Sequence, residues 1–193
     1  ADNLELLEEM GAELVPFSPL SDAHLPEGVH GLLLGGGYPE LYAERLAQNR
    51  ALLGELKAAI QSGLPTIADC GGFMLLTRAI DQWPMAGLFP TQCRDAGTLR
   101  RFGYATLSAQ EDSLLFEAGD TLPGHEFHRW DADDPGRGLS AQKPSGRAWR
   151  CAYASETLYA GYPHLAFMGH PKAARRFIDK CLERKLRNET IGY

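Results

Sequence analysis

The sequence predicts an α/β domain: a mostly parallel central sheet with helices on both faces, in a flavodoxin-like order whose first strand is missing from this chain. Three observations predict it. Short runs such as "GLLLGGG" and "LPTIA" are almost wholly apolar, the pattern of parallel strands covered on both faces. Segments with apolar residues at helical spacing alternate with them. The chain also opens inside a helix, where a doubly wound domain opens on a strand.

The elements follow in order. "DNLELLEEM" reads as a helix that Asp2 and Asn3 can cap, with Gly11 placed to stop it. A short strand is expected next, in "GAELVPFSPL". "GVHGLLLGGG" is a buried strand running into a tight turn. From Glu40 to Ser62, Leu41, Leu46, Leu52, Leu53, Leu56 and Ile60 fall at helical spacing, and Gly63 ends that segment. "LPTIA" is a second buried strand, and "GGFMLLTRAI" is expected to start a helix. Strands are then expected over 97–109, 122–130, 148–153 and 158–167. "DADDPGRGLSAQKPSG" reads as loop, and an amphipathic helix over 171–186 closes the chain. Without a first strand, backbone groups and an apolar slot stay open at mid-sheet. The expectation is therefore a piece of a longer protein, with residues 1–193 forming one domain.

Composition narrows the function. The 193 residues are 44% hydrophobic, enough for one domain with a sizeable core. A net charge of −6 and a pI of about 5.5 give no electrostatic reason to bind nucleic acid or an anionic membrane. The Arg100-Arg101 and Arg175-Arg176 pairs read as solvated faces. No apolar run reaches the roughly 20 residues of a membrane span. Cys70, Cys93, Cys151 and Cys181 lie far apart, which argues against a zinc site and against a disulfide scaffold. A cytoplasmic location is the simplest reading.

The chemistry centres on "IADCGG". A strand-to-helix corner presents one side chain at the carboxyl end of the sheet, where open α/β folds bind ligands. The start of the next helix favours the thiolate of Cys70, the nucleophilic form. Gly71 and Gly72 leave room for a substrate, and the Gly71 amide points where an oxyanion would form. Asp69 reads as support for the turn. The plainer alternative is that Cys70 is inert core, since cysteine is among the most buried residue types. A nucleophilic cysteine needs a base. Six histidines are available: His24, His30, His125, His128, His164 and His170. Composition does not choose among them.

Four stretches, "LLLGGGYPELYAERLAQN", "IADCGG", "PGHEFHRW" and "AGYPHLAF", occur in an order and at separations that resemble the C-terminal glutaminase domain of the cobyrinic acid a,c-diamide synthase family. This is a branch of the class I, triad-type glutamine amidotransferases. The likeness covers nearly the whole chain. It implies a flavodoxin-like class I glutaminase fold, with Cys70 as the nucleophile and His164 as its base. It places Gly36, Gly37 and Tyr38 with Gly71 around the oxyanion and substrate. Asp69, His125, Glu126 and His128 would support the glutamine site or a domain interface. Many triad enzymes carry an acid two residues after the histidine. Here that position is Ala166, so a Cys–His dyad is implied. Relatives usually have a second histidine at that position and a glutamate where Asp69 stands.

The implied reaction is hydrolysis of glutamine to glutamate and ammonia through a thioester. The ammonia would serve ATP-dependent a,c-diamidation of cobyrinic acid in cobalamin biosynthesis. No metal and no cofactor is expected in this domain. ATP and Mg²⁺ belong to an N-terminal synthetase domain, because this sequence has no Gly-x-x-x-x-Gly-Lys phosphate loop. Glutamine and that domain are the implied partners, with cobyrinic acid reached through it and a homodimer as a possible assembly. The alternatives are a different tetrapyrrole, a catalytically silent docking module, or a cysteine hydrolase on the same architecture.

Overall fold

The computed structural model describes residues 2–191, with side chains for residues 3–190. Helix α1 (Asp2–Glu9) ends where Gly11, at φ +96°, donates to Glu8 O and Ala12 N donates to Leu7 O. That left-handed glycine is the expected stop. The capping role expected of Asp2 lies outside the described side chains. Asn3 does different work: Nδ2 donates to Leu165 O at 2.7 Å, and Oδ1 accepts from Phe167 N at 2.9 Å.

Strand β1 (Leu32–Leu34) leads through glycines into a 3₁₀ turn at Pro39–Tyr42 and then α2 (Ala43–Gln48) and α3 (Arg50–Gln61). Asn49 divides the two helices, its side chain accepting from Leu52 N. Strand β2 (Thr66–Asp69) follows, then α4 (Gly71–Leu76), β3 (Thr77–Ile80) and β4 (Trp83–Pro84). The helix expected through Ile80 thus stops at Leu76. Thr77 is wholly buried, turns to ψ 172°, and bonds its hydroxyl to Met74 O. The next residues join a sheet instead.

The second half is built from β5 (Phe89–Ala109), β6 (Thr121–Ala132), β7 (Leu139–Gln142), β8 (Ala148–Cys151), β9 (Tyr153–Ser155), β10 (Leu158–Gly161) and β11 (His164–Leu165). Helix α5 (Pro171–Ile191) closes it, five residues longer than expected. Strand β7 lies in the stretch read as loop. Leu139 and Ala141 are buried there in alternation, and they pair with both β5 and β8. The single strand expected over 158–167 is broken at Tyr162-Pro163, between β10 and β11.

Two sheets result. The first has the order β1-β2-β10-β9, with β1, β2 and β10 parallel and β9 antiparallel. Neighbouring residues of its strands face different cores, as a pleat with period two requires. Leu32, Leu34, Ala68 and Ala160 join the cluster under α2, α3 and α4, while Leu33, Ile67 and Tyr159 join the one with α1 and α5. The second, larger sheet has seven strands and is mostly antiparallel, dominated by the β5–β6 ladder.

No strand forms at 12–17, contrary to expectation. A strand needs a ladder partner. Strand β1, however, pairs only with β2 among the described residues. A groove of about 980 Å³ runs along it, walled by residues 10–17, by residues 28–33 and by Phe177, Ile178 and Cys181 of α5. This is the apolar slot expected where the first strand of a flavodoxin-like order would lie. No described helix is long and apolar enough to cross a membrane.

Candidate active site

Strands β1, β2 and β10 run parallel, so their carboxyl ends reach the same sheet edge. The register aligns Leu34 with Ala68 and Asp69 with Gly161, and Cys70 N donates to Gly161 O at 2.8 Å. Three segments therefore emerge side by side: Gly35–Gly37, Asp69-Cys70-Gly71, and Tyr162-Pro163-His164. This edge is where open α/β sheets bind ligands.

Cys70 occupies a strained corner, at φ 50° and ψ −104°. Positive φ is uncommon for a residue with a Cβ and concentrates at functional sites. The residue is buried, at 7% exposed. The glycines around it permit contact that any side chain would block. A Cβ on Gly72 would lie 2.1 Å from Leu34 O, and one on Gly71 would lie 2.9 Å from Gly37 N. A Cβ on Gly36 would strike His164 Cε1 at 2.6 Å. The glycine turn after β1 thus lies against both Gly71 of the corner and the imidazole.

His164 meets Asp69, with Nδ1 3.1 Å from Oδ2. The hydrogen bond to Asp69, then one to Cys70, push the imidazole up to about 10 against the opposing effect of burial. The ring therefore carries its proton at neutral pH, the state that can protonate a leaving amine. The other cysteines lack such a setting. Burial pushes Cys93 up to about 11, and Cys151 and Cys181 up to about 12.

The remaining candidates fall on two faces of β6. The ladder sets His125 across from His164, and its ring lies edge-on to Phe102 and Tyr104. Glu126 and His128 point the other way, into a buried network. Glu126 accepts from Arg101 Nε at 3.0 Å and from Trp149 Nε1 at 3.0 Å, and lies 2.7 Å from His128 Nε2. Arg101 also pairs with Asp131. His128 stacks on Tyr162 with centroids 3.8 Å apart and planes 8° from parallel. The network thus packs beneath the segment that carries His164 and does not reach Cys70. Tyr38 is 62% exposed at the start of the 3₁₀ turn and forms no side-chain bond to the cysteine. It borders a cavity of about 360 Å³ behind the glycine turn, which neither Cys70 nor His164 lines. That cavity is therefore not assigned to glutamine.

Sequence reasoning missed several contributors. Arg101 was expected on a solvated face, yet its side chain is only 14% exposed because Glu126 and Asp131 neutralise it inside. Asp131 and Trp149 carried no signal, and Asn3 was expected only as a helix cap. The Asp69–His164 bond spans 95 positions and is invisible to any local pattern.

A mostly parallel sheet with a cysteine corner at its carboxyl edge has the form of a class I glutaminase domain. Solved structures share this fold: a GMP synthase protein from Thermoplasma acidophilum superposes with a TM-score of 0.61 at 19% identity, over 96% of this chain and 89% of that one. The chain belongs to the CobB/CobQ-like glutamine amidotransferase domain family, which matches residues 1–172. It is 37% identical over 188 residues to a cobyrinate a,c-diamide synthase from Caldanaerobacter subterraneus subsp. tengcongensis, covering 93% of this chain and 42% of the relative. It is 38% identical over 185 residues to a hydrogenobyrinate a,c-diamide synthase from Streptomyces coelicolor, covering 94% of this chain and 37% of the relative. The chain thus spans about two fifths of the length of the curated relatives it matches.

Proposed function

We propose that residues 1–193 form the glutaminase domain of a longer synthase and release ammonia from glutamine. One observation carries this reading: Cys70, His164 and the Gly36-Gly37 and Gly71 backbone converge at one sheet edge. Cys70 Sγ attacks the side-chain amide carbon of glutamine, and backbone amides of the glycine turn and of Gly71 receive the negative oxygen. Protonated His164 gives its proton to the amide nitrogen, and ammonia leaves. Water then adds to the glutamyl-thioester as His164 takes its proton, and glutamate departs. The sum is glutamine plus water to glutamate plus ammonia.

The ammonia would feed the a,c-diamidation of cobyrinic acid or a closely related tetrapyrrole. The names of the relatives support that substrate class, and their greater length leaves room for a domain that holds ATP and Mg²⁺. No described group of His, Cys, Asp and Glu is placed to hold a metal here.

Glutamate release from glutamine tests the reading. Purified protein, with any ATP-dependent portion present, is expected to release glutamate. Cys70→Ala and His164→Ala are each expected to lower the rate by at least about a thousandfold. Equal rates in wild type and Cys70→Ala would refute it.

A further inference from the structure

Asp69 has a carboxylate that the fold itself does not use. Its Oδ2 meets His164 Nδ1 at 3.1 Å, and its Oδ1 is buried with no hydrogen-bond partner among the described residues. An unpaired buried oxygen weakens a fold, so structure alone gives no reason for it. The corner is held by other contacts: Cys70 N to Gly161 O, and the close approach of Gly71 and Gly72 to the first glycine turn. Two residues past the histidine stands Ala166, which has no acid to offer.

We propose that Asp69 is the positioning residue of the Cys70–His164 pair, holding Nδ1 so that Nε2 faces the sulfur. The inference rests on the glutaminase reading above and deepens it. The groups facing His164 are Asp69 from β2, Cys70 from the corner, His125 from β6 and the Gly36 backbone. Asp69 is the one carboxylate among them. Among the described residues, its carboxylate meets no donor but His164. The imidazolium that donates to the leaving nitrogen is therefore stabilised before substrate arrives.

The test compares wild type, Asp69→Asn, Asp69→Ser and Asp69→Glu by glutamate release across pH, with Cys70→Ala as the control. Asp69→Asn is expected to lower kcat by about 100-fold with KM within about threefold. The alkaline limb of kcat/KM is expected to fall by about one pH unit or more, because His164 loses its proton earlier without the acid. Asp69→Glu is expected to recover most of the rate. Ring ¹H–¹⁵N NMR of His164 follows the same titration without turnover. Asp69→Ser guards against a folding defect peculiar to the amide. An unmoved alkaline limb, an unmoved His164 titration, or an Asp69→Asn kcat within about threefold of wild type overturns the assignment. Should Cys70→Ala keep full activity, the glutaminase reading fails separately, and the His164 titration still decides whether Asp69 holds the ring.

Discussion

Cys70 combines a reactive atom with a backbone conformation that costs about 1–3 kcal/mol for a residue with a side chain. Glycine adopts that conformation freely. Cys70→Gly is expected to be about 1 kcal/mol more stable than Cys70→Ala in urea denaturation. Equal stabilities would mean that the corner is unstrained. His164 adds a pH signature. Its folded-state value is raised above the ordinary 6.5 to about 10, chiefly by Asp69. A raised histidine contributes stability below its unfolded value and loses it as pH rises through its folded value. The stability gap between wild type and Asp69→Asn should therefore be full at about pH 6.5 and close on approaching pH 10. A gap that widens with pH would contradict the Asp69–His164 pairing.

At the scale of elements, the site depends on how closely β1, β2 and β10 end together. Gly72 is the tightest point, since a methyl there meets the carbonyl of Leu34, and backbone cannot swing aside. Gly72→Ala is expected to cost about 3 kcal/mol, read as a lower urea midpoint with an unchanged slope. Glu126→Gln should cost about 1–3 kcal/mol, because it removes one of the two carboxylates that neutralise Arg101 in the interior and leaves Asp131 as the other. An effect under about 0.5 kcal/mol would place Glu126 among ordinary surface residues. Much of this was legible in advance. The run "LLLGGG" and the corner "IADCGG" carry their geometry locally, through apolar strand residues and obligatory glycines. The "HEFH" run lies in an expected strand, so its alternation was implied, but not that His125 would lie toward the histidine edge and Glu126 inward. That choice of face follows from strand pairing, which depends on residues tens of positions away. Strand β7 hid for the same reason: Leu139 and Ala141 are a weak alternation until β5 and β8 flank them.

The whole molecule has a core on each face of a four-stranded sheet, and a second, larger sheet that is mostly antiparallel. The larger size of that second sheet was not legible, because ladders of long antiparallel strands leave little trace in short windows. Among the described residues β1 pairs only with β2, and the groove along its other side matches the apolar slot expected from the sequence. Neither Cys70 nor His164 lines the groove of about 980 Å³ along β1. In the proposed longer synthase, Cys70→Ala is expected to lose amidation with glutamine while keeping it with ammonium salts, measured as amidated product from each nitrogen source. Loss with both sources would show that residue 70 supports something other than ammonia release. The most direct measurement is the mass of the covalent intermediate: protein mixed with glutamine, quenched in acid and digested. The account predicts a glutamyl adduct on the peptide that holds Cys70, absent in Cys70→Ala. An adduct on Cys93, Cys151 or Cys181, or glutamate release with no adduct at any cysteine, would contradict it.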